Sequence, residues 1–446
     1  MTTILPAAEL VKRILGRQQR QADTDYRLLR FCIQCPIEEG TLLYNPMTLE
    51  LLLLEAGETA EEELIARWFL VPEQQDDRQL AHQVRELAAC LQRPVEQVTA
   101  YTIFPTTDCN ARCYYCFEQG CQRKNMSEDT ARQAVRYIAD RCGGKGVSLH
   151  WFGGEPLLGQ KAMDIICRGL KQAGVPYRSS MASNGYLFDD NTLKKAKDLW
   201  RLEKVQITLD GTEERYNKAK AFIQPEGSPF RRVLGNIDQL LKAGIPVSVR
   251  LNVGEDNWQD LLCLADQLAQ RFGGIKEFGV YPNPLYEKNK EGQWVLPEKG
   301  DLTEKYLLVR RRLTELNLCS EGRLPKSLQI HHCMAAGDDA VAILPDGSLG
   351  CCEHFTDREL FGHIGKKEQD RAMLASWKEP TPPGPECGRC ALYPQCFRLK
   401  KCPGGRTCTR REREIAEDQL KAKIQKEYSI YKNRQPAQED TEPPRC

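Results

Sequence analysis

Three cysteines stand close together in one short segment, Cys109-Asn110-Ala111-Arg112-Cys113-Tyr114-Tyr115-Cys116, which follows the strand-like run VTAYTIFP. Thiolates at this C-x-x-x-C-x-x-C spacing can bind three irons of a cubane cluster. No fourth cysteine follows at matching spacing, so one iron has an open position, as a catalytic metal site needs in order to bind a cofactor or substrate. A zinc loop is the alternative, although structural zinc sites use four protein ligands.

A second group of cysteines lies between residues 333 and 408 and holds eight of the 20 cysteines in the chain. Thiols clustered in this way in an intracellular enzyme indicate metal binding rather than disulfides. Taken alone, this group also allows a zinc ribbon formed by Cys387, Cys390, Cys396 and Cys402.

The composition narrows the class of protein. The chain has 446 residues and a formal net charge of +1, which gives no reason to expect nucleic acid or an anionic membrane as the main partner. No apolar run approaches the roughly 20 residues of a membrane-spanning helix. The first residues, MTTILPAAELVKRILGRQQR, lack the pattern of a signal peptide. We therefore expect a cytoplasmic protein of two or three domains.

The elements that must position the cysteines follow from the periodicity of the sequence. After residue 98, six strand-like runs alternate with helical runs at 127–141, 160–173, 191–200, 229–243 and 257–271. This alternation is typical of parallel βαβ units. Six units do not complete an eight-fold barrel, so we expect an open, partial (β/α)6 barrel with its chemistry at the C-terminal ends of the strands.

Different patterns flank this region. Residues 1–95 predict a winged-helix-like module with a hairpin around Glu39-Gly40 and helices near 58–69 and 77–92. We expect the barrel at 96–318, a cysteine-rich domain with a charged helix at 319–432, and a disordered tail at 433–446.

The cysteine segment, its place after the first strand, and the aromatic Tyr115 before the last cysteine resemble the radical S-adenosylmethionine (SAM) superfamily. The resemblance implies that Cys109, Cys113 and Cys116 bind a [4Fe–4S] cluster whose fourth iron is chelated by SAM. In that family an electron from the cluster cleaves SAM, and the 5′-deoxyadenosyl radical removes a hydrogen atom from the substrate. A flavodoxin or ferredoxin is then the expected electron donor.

Further motifs follow in the order that this family shows. The run Phe152-Gly153-Gly154-Glu155-Pro156 is similar to its GGE motif, in which backbone and carboxylate hold the SAM ammonium group. By the same resemblance Thr208 binds the ribose or carboxylate of SAM, and Lys220 stands where related enzymes often carry Arg. The other cofactor-binding candidates are Tyr115, Ser183, Asn184, Asp210, Arg250 and Asn252.

The C-terminal cysteines resemble the SPASM extension, which carries two auxiliary [4Fe–4S] clusters and brings the expected total to three. The family order assigns one cluster to Cys387, Cys390, Cys396 and Cys408, and the other to Cys333, Cys352 and Cys402. The spacing departs from the commonest pattern, because five residues rather than three separate Cys396 from Cys402. The second set also lacks a fourth ligand, so either Cys351 or Cys319 completes it, or one iron is open to a substrate thiolate.

These resemblances favour a maturase of a ribosomally made, cysteine-containing peptide that forms thioether crosslinks. Glu353 directly follows Cys352. Sulfatase-maturing relatives have at this place an Asp that acts as a base, so Glu353 is the candidate catalytic base. The module at 1–95 is the expected site for the leader of a precursor peptide, bound by β-augmentation. The alternatives are a sulfatase-maturing enzyme that forms formylglycine, another SPASM modification such as carbon–carbon crosslinking, or a non-catalytic electron-transfer or scaffold protein.

Overall fold

The computed structural model describes the chain except for residues 92–96, 289–293, 296–301, 320–321, 329–332, 355–357, 397, 403–408 and 435–446. Cys408 and nearly all of the predicted C-terminal tail therefore lie outside the described residues. Within the described part, no helix combines the length and the apolar character needed to cross a membrane.

The first 91 residues form a small α/β module around an antiparallel sheet of order β1-β5-β4-β3. The predicted hairpin is confirmed, since Ile37 pairs with Gly40 at its turn. Gly40 has a φ of +150°, and a Cβ there would lie 2.1 Å from the carbonyl oxygen of Leu54, so no side chain fits. The elements of the module are β1 (Thr2–Leu5), α1 (Glu9–Leu15), β2 (Tyr26–Leu28), β3 (Ile33–Ile37), β4 (Gly40–Asn45), β5 (Glu50–Glu55), α2 (Glu61–Ala66), β6 (Leu70–Pro72) and α3 (Asp77–Leu91).

The central region is a parallel sheet of six strands, β7 to β12, which follow one another in space in chain order. The predicted strands and the five predicted helices are confirmed, whereas the helix α7 was not predicted. The elements are β7 (Ala100–Thr106), α4 (Glu128–Arg141), β8 (Val147–Gly153), α5 (Gln160–Gln172), β9 (Tyr177–Ser183), α6 (Asp190–Asp198), β10 (Leu202–Leu209), α7 (Glu213–Lys220), α8 (Pro229–Lys242), β11 (Val247–Val253), α9 (Trp258–Phe272) and β12 (Phe278–Pro284).

Several helices of this region begin where a polar side chain satisfies a free backbone N–H group. Ser127 accepts from the N–H of Thr130 at the start of α4, and Asp189 accepts from the N–H of Thr192 at the start of α6. Such N-caps stabilise a helix by about 1 kcal/mol. They fix where each helix starts and hence the length of the strand-end loop before it.

The C-terminal region extends the parallel sheet instead of forming loops alone. β15 pairs with β7 in parallel, and β16 and β17 add antiparallel strands beyond it. These strands were not predicted because they are only three or four residues long. The elements are β13 (Glu287–Lys288), β14 (Trp294–Val295), α10 (Leu302–Glu315), β15 (Ala340–Ile343), β16 (Ser348–Gly350), β17 (Leu360–His363), α11 (Arg371–Trp377) and α12 (Arg410–Lys432).

The N-terminal module shares its hydrophobic core with the C-terminal region. Leu324, Leu328, Ala391 and Ile424 are buried in the same apolar cluster as residues of β4 and β5. Hydrogen bonds reinforce this contact, because the guanidinium of Arg85 on α3 donates to the carbonyl of Cys396. The module is therefore built into the fold, and its removal would uncover an apolar surface.

We predict that Ile424→Ala lowers the free energy of unfolding by about 2–5 kcal/mol, because it leaves a cavity in this shared core. Denaturant unfolding followed by fluorescence measures the change. Gln425→Ala is the matched control, since Gln425 is the exposed neighbour on the same helix. Equal stability of the two variants would show that α12 does not close the core of the module.

Candidate active site

One cavity of about 880 Å³ brings together most of the residues that the sequence singled out. The three cysteines of the first segment line it, and so do Cys402 and Glu353 from the C-terminal region. The candidates that also line it are Tyr115, Gly153, Gly154, Ser183, Asn184, Thr208, Lys220, Arg250 and Asn252. Segments far apart in the sequence thus share one interior space.

The cysteine segment forms an irregular loop directly after β7. The N–H of Ala111 donates to Sγ of Cys109 at 3.4 Å, and the N–H of Cys116 donates to the carbonyl of Cys113 at 3.1 Å. Burial, followed by the charge of Glu155, raises the pKa of the Cys109 thiol to about 12, and burial raises that of Cys116 to about 11. Desolvated thiols of this kind become thiolates when a cation such as iron binds beside them.

The two glycines of the GGE run allow its backbone to approach the cysteine loop closely. A Cβ on Gly154 would lie 2.1 Å from the carbonyl oxygen of Asp108, and a Cβ on Gly153 would lie 2.3 Å from that of Thr106. Gly153 also has a φ of +117°, which few residues other than glycine adopt. Any side chain at either position would push the two strand ends apart.

Glu155 is fully buried and joins the ends of neighbouring strands. Its carboxylate accepts hydrogen bonds from the Ser183 hydroxyl at 2.9 Å, the Asn184 N–H at 2.8 Å and the Leu157 N–H at 3.2 Å. Burial raises its pKa to about 7, against the effect of these donors. Its own N–H donates to the carbonyl of Asp108, so this one residue links the GGE run to both the cysteine loop and the end of β9.

A polar network lies at the ends of β10 and β11. Asp210 accepts from the Tyr115 hydroxyl at 2.6 Å and from Nδ2 of Asn252 at 3.0 Å, and it pairs with the Lys220 ammonium at 3.2 Å. Nε of Arg250 donates to Oδ1 of Asn252 at 3.0 Å. The candidates on these two strands therefore form one connected set.

Three C-terminal cysteines of one predicted cluster, Cys333, Cys352 and Cys402, lie near one another. Burial raises the pKa of the Cys352 thiol, and the neighbouring Glu353, Cys402 and Cys333 raise it further. Cys351 has other neighbours, among them Lys378 and Lys401, and burial raises its pKa to about 12. The assignment of Cys351 as a fourth ligand of this set stays a prediction.

The described cysteines of the other predicted auxiliary cluster, Cys387, Cys390 and Cys396, lie in a loop against the N-terminal module. Cys387 and Cys390 sit in and after a short 3-10 turn, and the N–H of Cys390 donates to the carbonyl of Cys387 at 3.3 Å. Tyr393, between Cys390 and Cys396, stacks on Phe31 with ring centroids 5.7 Å apart. The fourth predicted member, Cys408, lies outside the described residues.

The thiols of the first segment share one loop beside the cavity. Each thiolate of a cubane binds a different iron. The loop of Cys109, Cys113 and Cys116, with the open cavity beside it, therefore fits a [4Fe–4S] cluster with one accessible iron.

The structure adds cavity residues that the sequence reasoning missed. His150 and Phe152 lie at alternate positions of β8, and strand alternation was the signal for them. His150 contacts the Ser180 hydroxyl through Nδ1 at 2.8 Å, and burial lowers its pKa. Glu118 also lines the cavity, and burial raises its pKa to about 7.

Aromatic side chains form one wall of the cavity. Phe117 stacks on Phe152 with centroids 6.0 Å apart and meets the His354 ring edge-on at 4.7 Å. This contact joins the cysteine loop directly to the residue that follows Glu353. Apolar walls exclude water and strengthen electrostatic interactions inside the cavity.

Residues 103–268 match the profile of the Radical SAM superfamily. Among curated proteins, the chain is similar to the probable GTP 3′,8-cyclase of Methanocella arvoryzae, with 32% identity over 161 residues, or 35% of this chain and 48% of that protein. The corresponding protein of Archaeoglobus fulgidus is 30% identical over 161 residues, or 35% and 49%. The chain thus spans about half the length of these two relatives.

Solved structures share the fold over more of the chain. Native anSMEcpe with bound AdoMet has a TM-score of 0.57 at 14% identity and covers 75% of this chain and 100% of its own. Streptococcus suis SuiB bound to its precursor peptide SuiA has a TM-score of 0.52 at 14% identity and covers 85% of this chain and 98% of its own.

Profile, fold and site geometry agree, because the matched residues contain the cysteine loop, the GGE run and the strand ends that surround the cavity. A Radical SAM domain implies SAM and a [4Fe–4S] cluster as cofactors. Residues 103–268 form a Radical SAM domain, and the chain is an enzyme.

Proposed function

We propose that this enzyme matures a ribosomally made, cysteine-containing peptide by forming thioether crosslinks. The observation that carries the proposal is the shared cavity, which is lined both by Cys109, Cys113 and Cys116 and by Cys402 with Glu353. A site for radical generation and a site for handling sulfur thereby face the same substrate space. The fold shared with SuiB, whose structure holds a precursor peptide, and with anSMEcpe, which has been solved with the Cp18Cys peptide, supports a peptide substrate.

In this proposal the cysteine loop holds the first cluster and leaves one iron free for SAM. When bound, the cluster and SAM supply a 5′-deoxyadenosyl radical for hydrogen-atom abstraction. The backbone of Gly153 and Gly154 forms the near wall of the SAM site, and Thr208, Arg250 and Asn252 offer polar groups across it. Glu155 acts chiefly by holding these strand ends together, since protein donors already occupy its carboxylate.

The C-terminal residues are proposed to handle the substrate sulfur. Cys333, Cys352 and Cys402 would hold an auxiliary cluster, and Cys387, Cys390, Cys396 and Cys408 a second one. An open iron in the first of these would supply a binding point for a substrate thiolate and an acceptor for one electron. Glu353 lines the same cavity and takes the thiol proton, so that the peptide loses one hydrogen atom, one proton and one electron in total.

We propose that the N-terminal module binds the leader of the precursor peptide along an edge of its sheet, by β-augmentation. The edge strands of that sheet are β1 and β3. Because the module shares its core with α12, point substitutions on an edge strand test this role better than deletion of the module. A flavodoxin or ferredoxin remains the proposed electron donor.

We predict that the reduced enzyme converts SAM to 5′-deoxyadenosine and that Cys116→Ala abolishes this conversion, because the cluster loses one of three ligands. Chromatography of the products measures it. Cys263→Ala is the control, since Cys263 is an exposed cysteine on α9. Equal turnover by the Cys116 variant and the wild type would refute the assignment of the first cluster.

We predict about twelve irons per chain after anaerobic reconstitution, from three cubane clusters. Simultaneous replacement of Cys109, Cys113 and Cys116 by Ala should leave about eight, because only the first cluster is removed. Metal analysis of both proteins checks the counts. About four irons in the wild type, together with tightly bound zinc, would contradict the auxiliary clusters.

We predict that Cys402→Ala retains SAM cleavage but loses crosslinking, because the substrate sulfur is no longer held beside the carbon radical. Mass spectrometry of the peptide measures the loss of two hydrogens, and iron analysis and circular dichroism confirm that the variant is folded. Cys263→Ala again serves as the control. Normal crosslinking by a folded Cys402 variant would show that the cluster bound by Cys402 does not hold the substrate sulfur.

A further inference from the structure

Lys220, the last residue of α7, has its ammonium group buried beside the cysteine loop. The side chain is 5% exposed, and Nζ lies 3.2 Å from the Asp210 carboxylate. It also donates to the Tyr115 hydroxyl at 2.9 Å, while that hydroxyl donates to the same carboxylate at 2.6 Å. The ammonium, the hydroxyl and the carboxylate thus form a closed triangle.

The main chain around Lys220 holds the same loop at a second point. Its carbonyl accepts from the N–H of Arg112 at 2.8 Å, and the N–H of Ile223 donates to the carbonyl of Asn110 at 2.9 Å. Between them Ala221 adopts a left-handed conformation with a φ of +44°, which ends α7 and turns the chain toward the loop. Arg112 and Tyr115 lie on either side of Cys113, so Lys220 contacts the loop on both sides of its central cysteine.

The charge of Lys220 is already compensated within the protein. Burial alone would lower the pKa of Lys220, but the charges of Asp210, Tyr115 and other neighbours together outweigh this effect and hold the pKa well above its ordinary value. The group therefore stays an ammonium ion with a carboxylate partner. Breaking a buried pair of this kind is costly, because the remaining charge has no water to replace its partner.

We infer that Lys220 is a positioning residue that clamps the cysteine loop through Tyr115 and Asp210, rather than a cation that binds SAM directly. This inference deepens the proposed function and rests on the assignment of Cys109, Cys113 and Cys116 to the first cluster. The clamp acts by holding Cys113 in register with the other two cysteines. It predicts that loosening the triangle weakens the hold on the cluster even when SAM is absent.

Tyr115→Phe tests the clamp with the smallest change, because it removes only the hydroxyl and leaves Lys220 paired with Asp210. In the absence of SAM, we expect this variant to release the four irons of the first cluster to a ferrous chelator on the order of tenfold faster than the wild type, because a hydrogen bond to a charged group is lost. The matched control is Tyr114→Phe, because Tyr114 is the neighbouring tyrosine and its residue is 61% exposed. It should release iron at the wild-type rate.

A second pair of variants separates positioning from SAM binding. Lys220→Met combined with Asp210→Asn removes both charges and leaves no unpaired ion, and Lys218→Met on the exposed side of α7 is its control. We expect faster iron release and an altered electron paramagnetic resonance spectrum of the SAM-free reduced cluster. The inference would be overturned if this double variant released iron at the wild-type rate and gave the wild-type spectrum but bound SAM more weakly in calorimetry. If the triple cysteine variant kept all of the wild-type iron, the cluster assignment itself would fail instead.

Discussion

The cysteine loop has no helix or strand of its own, yet three thiols on it must keep a fixed spacing around a cluster. Its shape therefore depends on hydrogen bonds from the ends of neighbouring elements. On one side two glycines of the GGE run approach the backbone at Thr106 and Asp108 so closely that only glycine fits at either position. On the other side α7 ends in a residue whose carbonyl and ammonium both contact the loop. The parallel sheet matters to function because it brings these ends together.

Two buried carboxylates, those of Glu155 and Asp210, each join several elements of the site through hydrogen bonds. Glu155 accepts three hydrogen bonds from the protein and joins the ends of β8 and β9. Asp210 is shared by Tyr115, Lys220 and Asn252 and joins β10 and β11 to the cysteine loop. Removing one partner from a buried set of this kind costs several kcal/mol. Both carboxylates thus limit how far the strand ends can move apart.

Much of this arrangement could be predicted from the sequence. The strands and helices of the parallel sheet repeat strongly enough to be located within a few residues, and the spacing of the first three cysteines indicated a cluster. The helix α7 was missed because it is only eight residues long and largely charged, and β15 to β17 because each spans three or four residues. The hydrogen-bond and ion-pair partners of buried side chains could not be predicted, because they come from distant parts of the sequence. Lys220 was expected to bind SAM, and only the fold shows that it lies beside Asp210.

The central claim is that the radical generated at the cysteine loop attacks a peptide held in the shared cavity. Its most direct measurement uses a cysteine-containing candidate precursor peptide deuterated at its non-exchangeable carbon positions. The account predicts that deuterium appears in 5′-deoxyadenosine while the peptide loses its free thiol and becomes crosslinked. Formation of 5′-deoxyadenosine without deuterium from the peptide, but with deuterium from labelled GTP, would contradict it and point to a nucleotide substrate.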